Sequence, residues 1–326
     1  MPRARCSPPK SPNSAAPCRR SPPPSEEAIM TLLTALPIRA LRKPALALAT
    51  VTLLLAVTPA PADDSAAPKP TPVPMVAPRD ATIPGGPEGE LIQYGRRLLT
   101  DTKRLLPDKV GSSMNCTSCH LGEGKVAYGS PFVGISHRFP QYNPRAGRDV
   151  TLQERVNGCM QRSMNGTPLA SDSHEMKAII AYMEWLSKDV PSHGQVEGMG
   201  IGDVNKKLTP DPVNGQRVYV AQCASCHGAN GEGMKDAAGE TIFPPLWGEH
   251  AFNIGAGMAR LFKAATFVKQ NMPIGIRLDG RLGQGQVLSD QEALDVAAYF
   301  TQQPRPDFAG KDRDWPKGGK PKDARY

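Results

Sequence analysis

Cys116-Thr117-Ser118-Cys119-His120 decides the fold of this chain, because the same pattern returns at Cys223-Ala224-Ser225-Cys226-His227. Two thiols separated by two residues and followed directly by an imidazole have the spacing of c-type haem attachment. The thiols bond to two vinyl positions along one haem edge, and the next residue turns its imidazole under the iron. A zinc site would need the two pairs close together, and a redox-active dithiol would need a strand leading into a helix. Neither setting is offered here. The reading is therefore two covalently bound haem c groups. Cys116 and Cys119 hold one and Cys223 and Cys226 the other, with His120 and His227 as proximal iron ligands.

Working outward, residues 89–99 (GELIQYGRRLL) and 214–221 (NGQRVYVA) each have the apolar spacing of a short helix leading into a motif. A second helix is expected after each. Met176, Ile179, Ile180, Met183 and Leu186 share one face, and residues 292–300 follow the capping box Ser289-Asp290-Gln291-Glu292. An early helix, a haem motif, an irregular middle and a late helix, stated twice, resemble two tandem class I cytochrome c domains. The expected class is all-α, with β patterning nearly absent. Residues 85–190 form the first domain, 191–210 a linker, 211–304 the second domain and 305–326 a basic Pro/Gly-rich tail.

The first 62 residues do not read as folded protein. Residues 1–29 are rich in Pro, Ser and Arg, and Met30 is a plausible true start. A basic stretch with Arg39, Arg42 and Lys43, an apolar run over 45–57 and Ala60-Pro61-Ala62 then make a signal peptide, with cleavage expected at Ala62–Asp63. The apolar run is short for a membrane span, so membrane contact is expected only during export, and the compartment is the periplasm. Residues 63–84, rich in Pro and Ala, read as disordered. Removing the leader takes eight Lys/Arg and two Asp/Glu, which reduces the net charge from +8 to +2 and argues against a nucleic-acid partner.

The sixth ligands decide what the haems do. In the second domain, Asn271-Met272-Pro273 stands between the haem motif and the late helix, so Met272 is the expected distal ligand, with Met258, Met234 and His250 as weaker rivals. The first domain has no such Met-Pro. It has Arg155-Val-Asn-Gly-Cys159-Met160-Gln-Arg162-Ser163-Met164, where Cys159 is the one cysteine left outside the leader and the haem motifs. Three readings stand here: Cys159 as a distal thiolate, Met160 or Met164 in the ordinary methionine role, or Cys159 as a small buried hydrophobe. A position in the distal slot, in a Gly/Asn-rich turn among arginines instead of an apolar stripe, favours the thiolate. Arg155, Cys159 and Ser163 are spaced by four, which would align them on a helix, although Gly158 weakens a continuous one.

NGCMQRSMNG at 157–166, with both haem motifs, PPLWG at 244–248 and FVKQNMPIG at 267–275, closely resembles the dihaem thiosulfate dehydrogenases over residues 85–325. The resemblance implies an enzyme that couples two thiosulfates into tetrathionate and hands electrons to a cytochrome or similar redox protein, with the reverse reaction open. It implies Cys159 as axial ligand of the catalytic haem and as the reacting sulfur, with Arg145, Arg155 and Ser163 in the active site. Asn271 departs from the Lys-Met pair of many members and leaves His227 and Met272 as the simplest axial pair. Thiolate ligation lowers a haem potential and methionine raises it, so electrons would run from the first haem to the second. Planar, permanently charged arginines suit a dianion; Arg148 and Arg162 are further candidates, with propionate pairing or solvation as their plainer use. Two other functions stay open: a tandem electron carrier, and the cysteine-ligated haem subunit of a sulfur-oxidising carrier-protein complex.

Overall fold

A computed structural model describes residues 71–191, 195–274 and 285–326; the leader, its cleavage point and residues 63–70 lie outside the described residues. The first half runs α1 (Gly86–Thr100), α2 (Thr102–Leu105), a 3-10 turn over Cys116–Ser118 and the single turn α3 (Leu121–Gly124). It continues with β1 (Gln141–Asn143) paired antiparallel to β2 (Arg148–Val150), then α4 (Leu152–Arg162) and α5 (His174–Ser187). The second half repeats the plan with α6 (Pro212–Gln222), α7 (Ala224–His227), the small antiparallel pair β3 (Met234–Lys235) and β4 (Thr241–Phe243), α8 (Leu261–Asn271) and α9 (Asp290–Gln302). The all-α reading holds, since the strands amount to two short ribbons.

Each half closes by crossing its early helix on its late one, and a glycine sits at each crossing. A Cβ on Gly95 of α1 would stand 1.9 Å from the Ala178 carbonyl oxygen on α5, and one on Gly215 of α6 would stand 1.9 Å from that of Asp295 on α9. An aromatic residue one turn further along the late helix, Tyr182 or Tyr299, flanks each contact. Leu98, Met176, Ile179 and Leu186 fill the first core, and Tyr219, Ala264, Leu294 and Val296 the second. The first core also takes in Phe252, Ala256 and Ala259 from the second half, so the two halves share a wall. Buried Asn253 fastens it, donating from Nδ2 to the Gln161 carbonyl at 2.9 Å and to Asn165 Oδ1 at 3.0 Å.

The segment before α1, the linker and the tail are all bound to the surface. Residues 71–84 include a β-bridge from Val73 to Val196 and a 3-10 turn whose Asp80 pairs with Arg96 and Lys125. Disorder was the expectation from their Pro/Ala content, but those contacts are made to distant parts of the chain, which composition does not register. The linker packs too: Val196 and Val204 are buried, and the Gly198 and Gly200 carbonyls accept from the Tyr128 and Ser130 amides at 2.6 and 2.9 Å. The tail lies across both halves. The Asp314 side chain, 4% exposed, pairs with Arg145 at 3.6 Å and Arg162 at 2.7 Å, and the Tyr326 hydroxyl donates to it as well.

Candidate functional site

Cys159 lies within α4, not in a turn. Thr151 caps the helix start, its side chain accepting from the Glu154 amide while the Glu154 carboxylate accepts from the Thr151 amide. Asn157 then makes reciprocal bonds with the Leu169 backbone, 2.9 Å to its carbonyl and 2.8 Å from its amide. Those anchors offset the roughly 1 kcal/mol that a mid-helix glycine costs, so Gly158 does not interrupt the helix. Arg155, Cys159 and Ser163 consequently fall on one side and all line a single cavity of about 430 Å³.

Cys116, Cys119 and His120 line the same cavity, with Leu99, Phe132, Ile135, Ile179 and Met183 as apolar wall. The His120 ring stacks on Phe132, centroids 4.1 Å apart, and its Nδ1 lies 2.6 Å from the Ser130 carbonyl oxygen. A carbonyl only accepts, so Nδ1 carries a proton and Nε2 is the ring atom left for other partners. In the second half His227 is set the same way, with Nδ1 2.8 Å from the Pro244 carbonyl oxygen.

Arg155 donates from Nη1 to the Cys159 sulfur at 2.9 Å, and His120 reaches that sulfur as well. Burial pushes the Cys159 thiol up, but the Arg155 charge and then the His120 hydrogen bond pull it down to about 6. Burial pushes its neighbours up as well, Cys116 to about 11 and Cys119 to about 12. Of the three cysteines that line the cavity, Cys159 is the one drawn toward the thiolate. Met160 and Met164 also line the cavity, and both are packed into the first core.

These residues fit a covalent haem. Two thiols, a tautomer-fixed imidazole and a facing thiolate converge on one largely apolar space, and the five described cysteines are free of disulfides. At the second centre, Met272 directly follows α8 and packs on the second core, as do Cys223, Leu246 and Trp247. Its rivals lie elsewhere: Met258 packs on the first core, Met234 is 42% exposed, and His250 is exposed. Asn271 is buried and braces the two halves, donating from Nδ2 to the Tyr128 carbonyl at 3.1 Å.

The arginines divide. Arg155 opens on the cavity, while Arg145 is absent from its lining. Arg145 Nη1 donates to the Gly255 carbonyl at 2.5 Å, and its guanidinium lies 4.7 Å over the Trp315 ring. Arg162 is held by Asp314, and Arg148 pairs with Glu154 at 2.6 Å on the exposed side. The sequence reading missed two cations that do line the cavity, Arg138 and Lys263. Arg138 lies in a Ser-His-Arg-Phe-Pro stretch without periodicity, and Lys263 comes from the other half of the chain, so neither carried a local signal.

A family model for the SoxA/TsdA cytochrome c domain matches residues 108–192, and one for cytochrome c matches residues 212–303. The chain is 45% identical over 248 residues to a thiosulfate dehydrogenase of Psychrobacter arcticus, covering 76% of this chain and 73% of that protein. It is 45% identical over 238 residues to one of Allochromatium vinosum, covering 72% and 85%. Among solved structures, the thiosulfate dehydrogenase (TsdBA) of Marichromatium purpuratum superposes with a TM-score of 0.62 at 35% identity over 71% of this chain. This chain spans about half the length of that structure, 49%.

Proposed function

Because the chain belongs to the thiosulfate dehydrogenase family, we propose that it oxidises two thiosulfates to tetrathionate at Cys159 and delivers the electrons to a redox protein. The observation that carries this reading is the Cys159 sulfur, fixed at 2.9 Å by Arg155 inside the cavity that the first haem motif lines.

Cys116 and Cys119 would hold the first haem and Cys223 and Cys226 the second. His120 with Cys159, and His227 with Met272, would be the axial pairs. When bound, the haem groups supply one-electron acceptance, two electrons for each pair of thiosulfates. The chain's own residues do the rest. Arg155 offers a planar cation to the substrate dianion and keeps the Cys159 sulfur ionised, the form that reacts. A bond forms between that sulfur and the sulfane sulfur of one thiosulfate with loss of two electrons, giving a cysteine S-thiosulfonate. The sulfane sulfur of a second thiosulfate then attacks the sulfane sulfur of the adduct. The new bond makes tetrathionate, and the bond to Cys159 breaks with its electron pair returning as thiolate, so no proton is exchanged. Ser163, four residues along α4, has a hydroxyl placed to donate to a sulfonate oxygen. Arg145 serves as a positioning residue that holds the Gly255 loop against the tail.

Steady-state assay with thiosulfate and an artificial acceptor, without any added protein, tests the reading. Turnover to tetrathionate is expected, whereas dependence on a separate thiol-bearing carrier protein would reject it. We further place the mature protein in the periplasm, on the strength of the leader's basic, apolar and small-residue segments. The intact mass of periplasmic material should match a chain from Asp63 plus two haems, and an N-terminus upstream of residue 45 would contradict this.

A further inference from the structure

Lys263 is the part of the first cavity that the second half supplies. Helix α8 turns Ala264, Ala265 and Val268 into the second core, which leaves Lys263 exposed on its outer side. There it lines the cavity that also holds Arg155, Cys159 and Ser163. Its ammonium makes no hydrogen bond or ion pair among the described residues. The charges that bear on it are Arg260, Lys206 and Arg155, which repel it, and Asp323, which attracts it. Asp323 already accepts from the Phe262 amide at 3.1 Å, and Lys206 is paired with Asp203. No carboxylate lines the cavity among the described residues. An unpaired cation at the edge of a space whose one anionic group among the described residues, the Cys159 sulfur, is already engaged by Arg155, is matched to an anion that comes and goes.

We propose that Lys263 is a substrate-binding residue of the Cys159 site, holding the sulfonate of the second thiosulfate while its sulfane sulfur attacks the adduct. This rests on the reading of Cys159 given above. The chemistry asks for such a group, because the attacking dianion approaches an adduct that is itself negative. Arg155 stands at the cysteine sulfur, where the first thiosulfate is held, and the ammonium comes from a different element. The two anions can then be held apart in charge but together in position.

The test uses the haem-loaded full-length chain. Lys263→Gln should raise the thiosulfate KM by about tenfold, the loss of one charge-assisted contact, and leave kcat within about twofold. The KM of the variant should also depend less on ionic strength, and Lys263→Arg should restore most of the loss. Two further measurements separate the alternatives. Spectroelectrochemical titration should give the same first-haem potential in wild type and Lys263→Gln. Isothermal calorimetry of thiosulfate with Cys159→Gly protein, which cannot turn over, should show weaker binding when Lys263→Gln is added. An unchanged KM together with a shifted potential would assign Lys263 to a haem propionate and overturn the proposal; unchanged KM and unchanged calorimetric affinity would overturn it outright. Absence of turnover by the wild-type chain would instead reject the Cys159 reading, and the calorimetric comparison would still decide whether Lys263 grips the dianion.

Discussion

Replacing Cys159 with glycine removes one sulfur that is assigned two duties, iron ligand and carrier of the intermediate. Tetrathionate formation should disappear while both haems stay attached, since Cys116, Cys119, Cys223 and Cys226 are untouched. The ferric low-spin resonance of a thiolate-ligated haem should vanish from the electron paramagnetic spectrum. Arg155→Ala should behave differently, keeping that resonance and raising the thiosulfate KM by about tenfold. Full turnover by the Cys159 variant would end the mechanism. At the second centre, Met272→Gly should abolish the weak near-infrared band of a His/Met ferric haem and lower activity without eliminating it. Survival of the band would move the ligand elsewhere. The residues of these predictions were legible as candidates in the chain because each belongs to a short local pattern, CxxCH, Met-Pro or Arg-x3-Cys-x3-Ser. Lys263 and Arg138 were not, because what makes them part of the cavity is where other elements carry them. Arg145 shows the converse: a basic residue near the right place in sequence whose guanidinium is engaged by Gly255 and Trp315 instead.

At the level of elements, apolar spacing located the four long flanking helices to within a few residues, and the capping box at Ser289 and Glu292 is formed as expected. The doubt over α4 came from weighing Gly158 alone, while the anchors at Thr151 and Asn157 that outweigh it act through hydrogen bonds. The helix crossings carried no comparable signal. Gly95 and Gly215 look like ordinary mid-helix glycines, yet each lets a partner backbone approach where no side chain fits. Gly215→Ala should therefore destabilise the second half by about 1–3 kcal/mol, the range for overpacking a close contact. Equilibrium denaturation followed through the second haem's absorbance would measure it. A midpoint at or above wild type would show that the crossing can open without cost.

Across the whole molecule, the tail acts as a strap, with Asp314 buried between Arg145 and Arg162. Removing one member of a buried ion pair leaves the others uncompensated, and such losses run to about 3–5 kcal/mol. Asp314→Ala should accordingly lower the denaturation midpoint and make residues 305–326 accessible to protease, seen as early tail fragments by mass spectrometry. Wild-type resistance in that variant would mean the strap is held by its aromatic and backbone contacts alone. Tandem haem motifs predict two beads on a string. The structure has instead Asn253 reaching Gln161 and Asn165, Asn271 reaching Tyr128, and Lys263 opening into the first cavity. That wall bears on how such a chain can be recombined. A foreign cytochrome domain grafted after residue 210 could still conduct electrons, but it would remove Lys263 from the first cavity and the carbonyl and carboxylate that seat Arg145. The two halves are thus not interchangeable modules, and a chimera that swaps the second should lose thiosulfate affinity even when its new haem is correctly installed and well matched in potential.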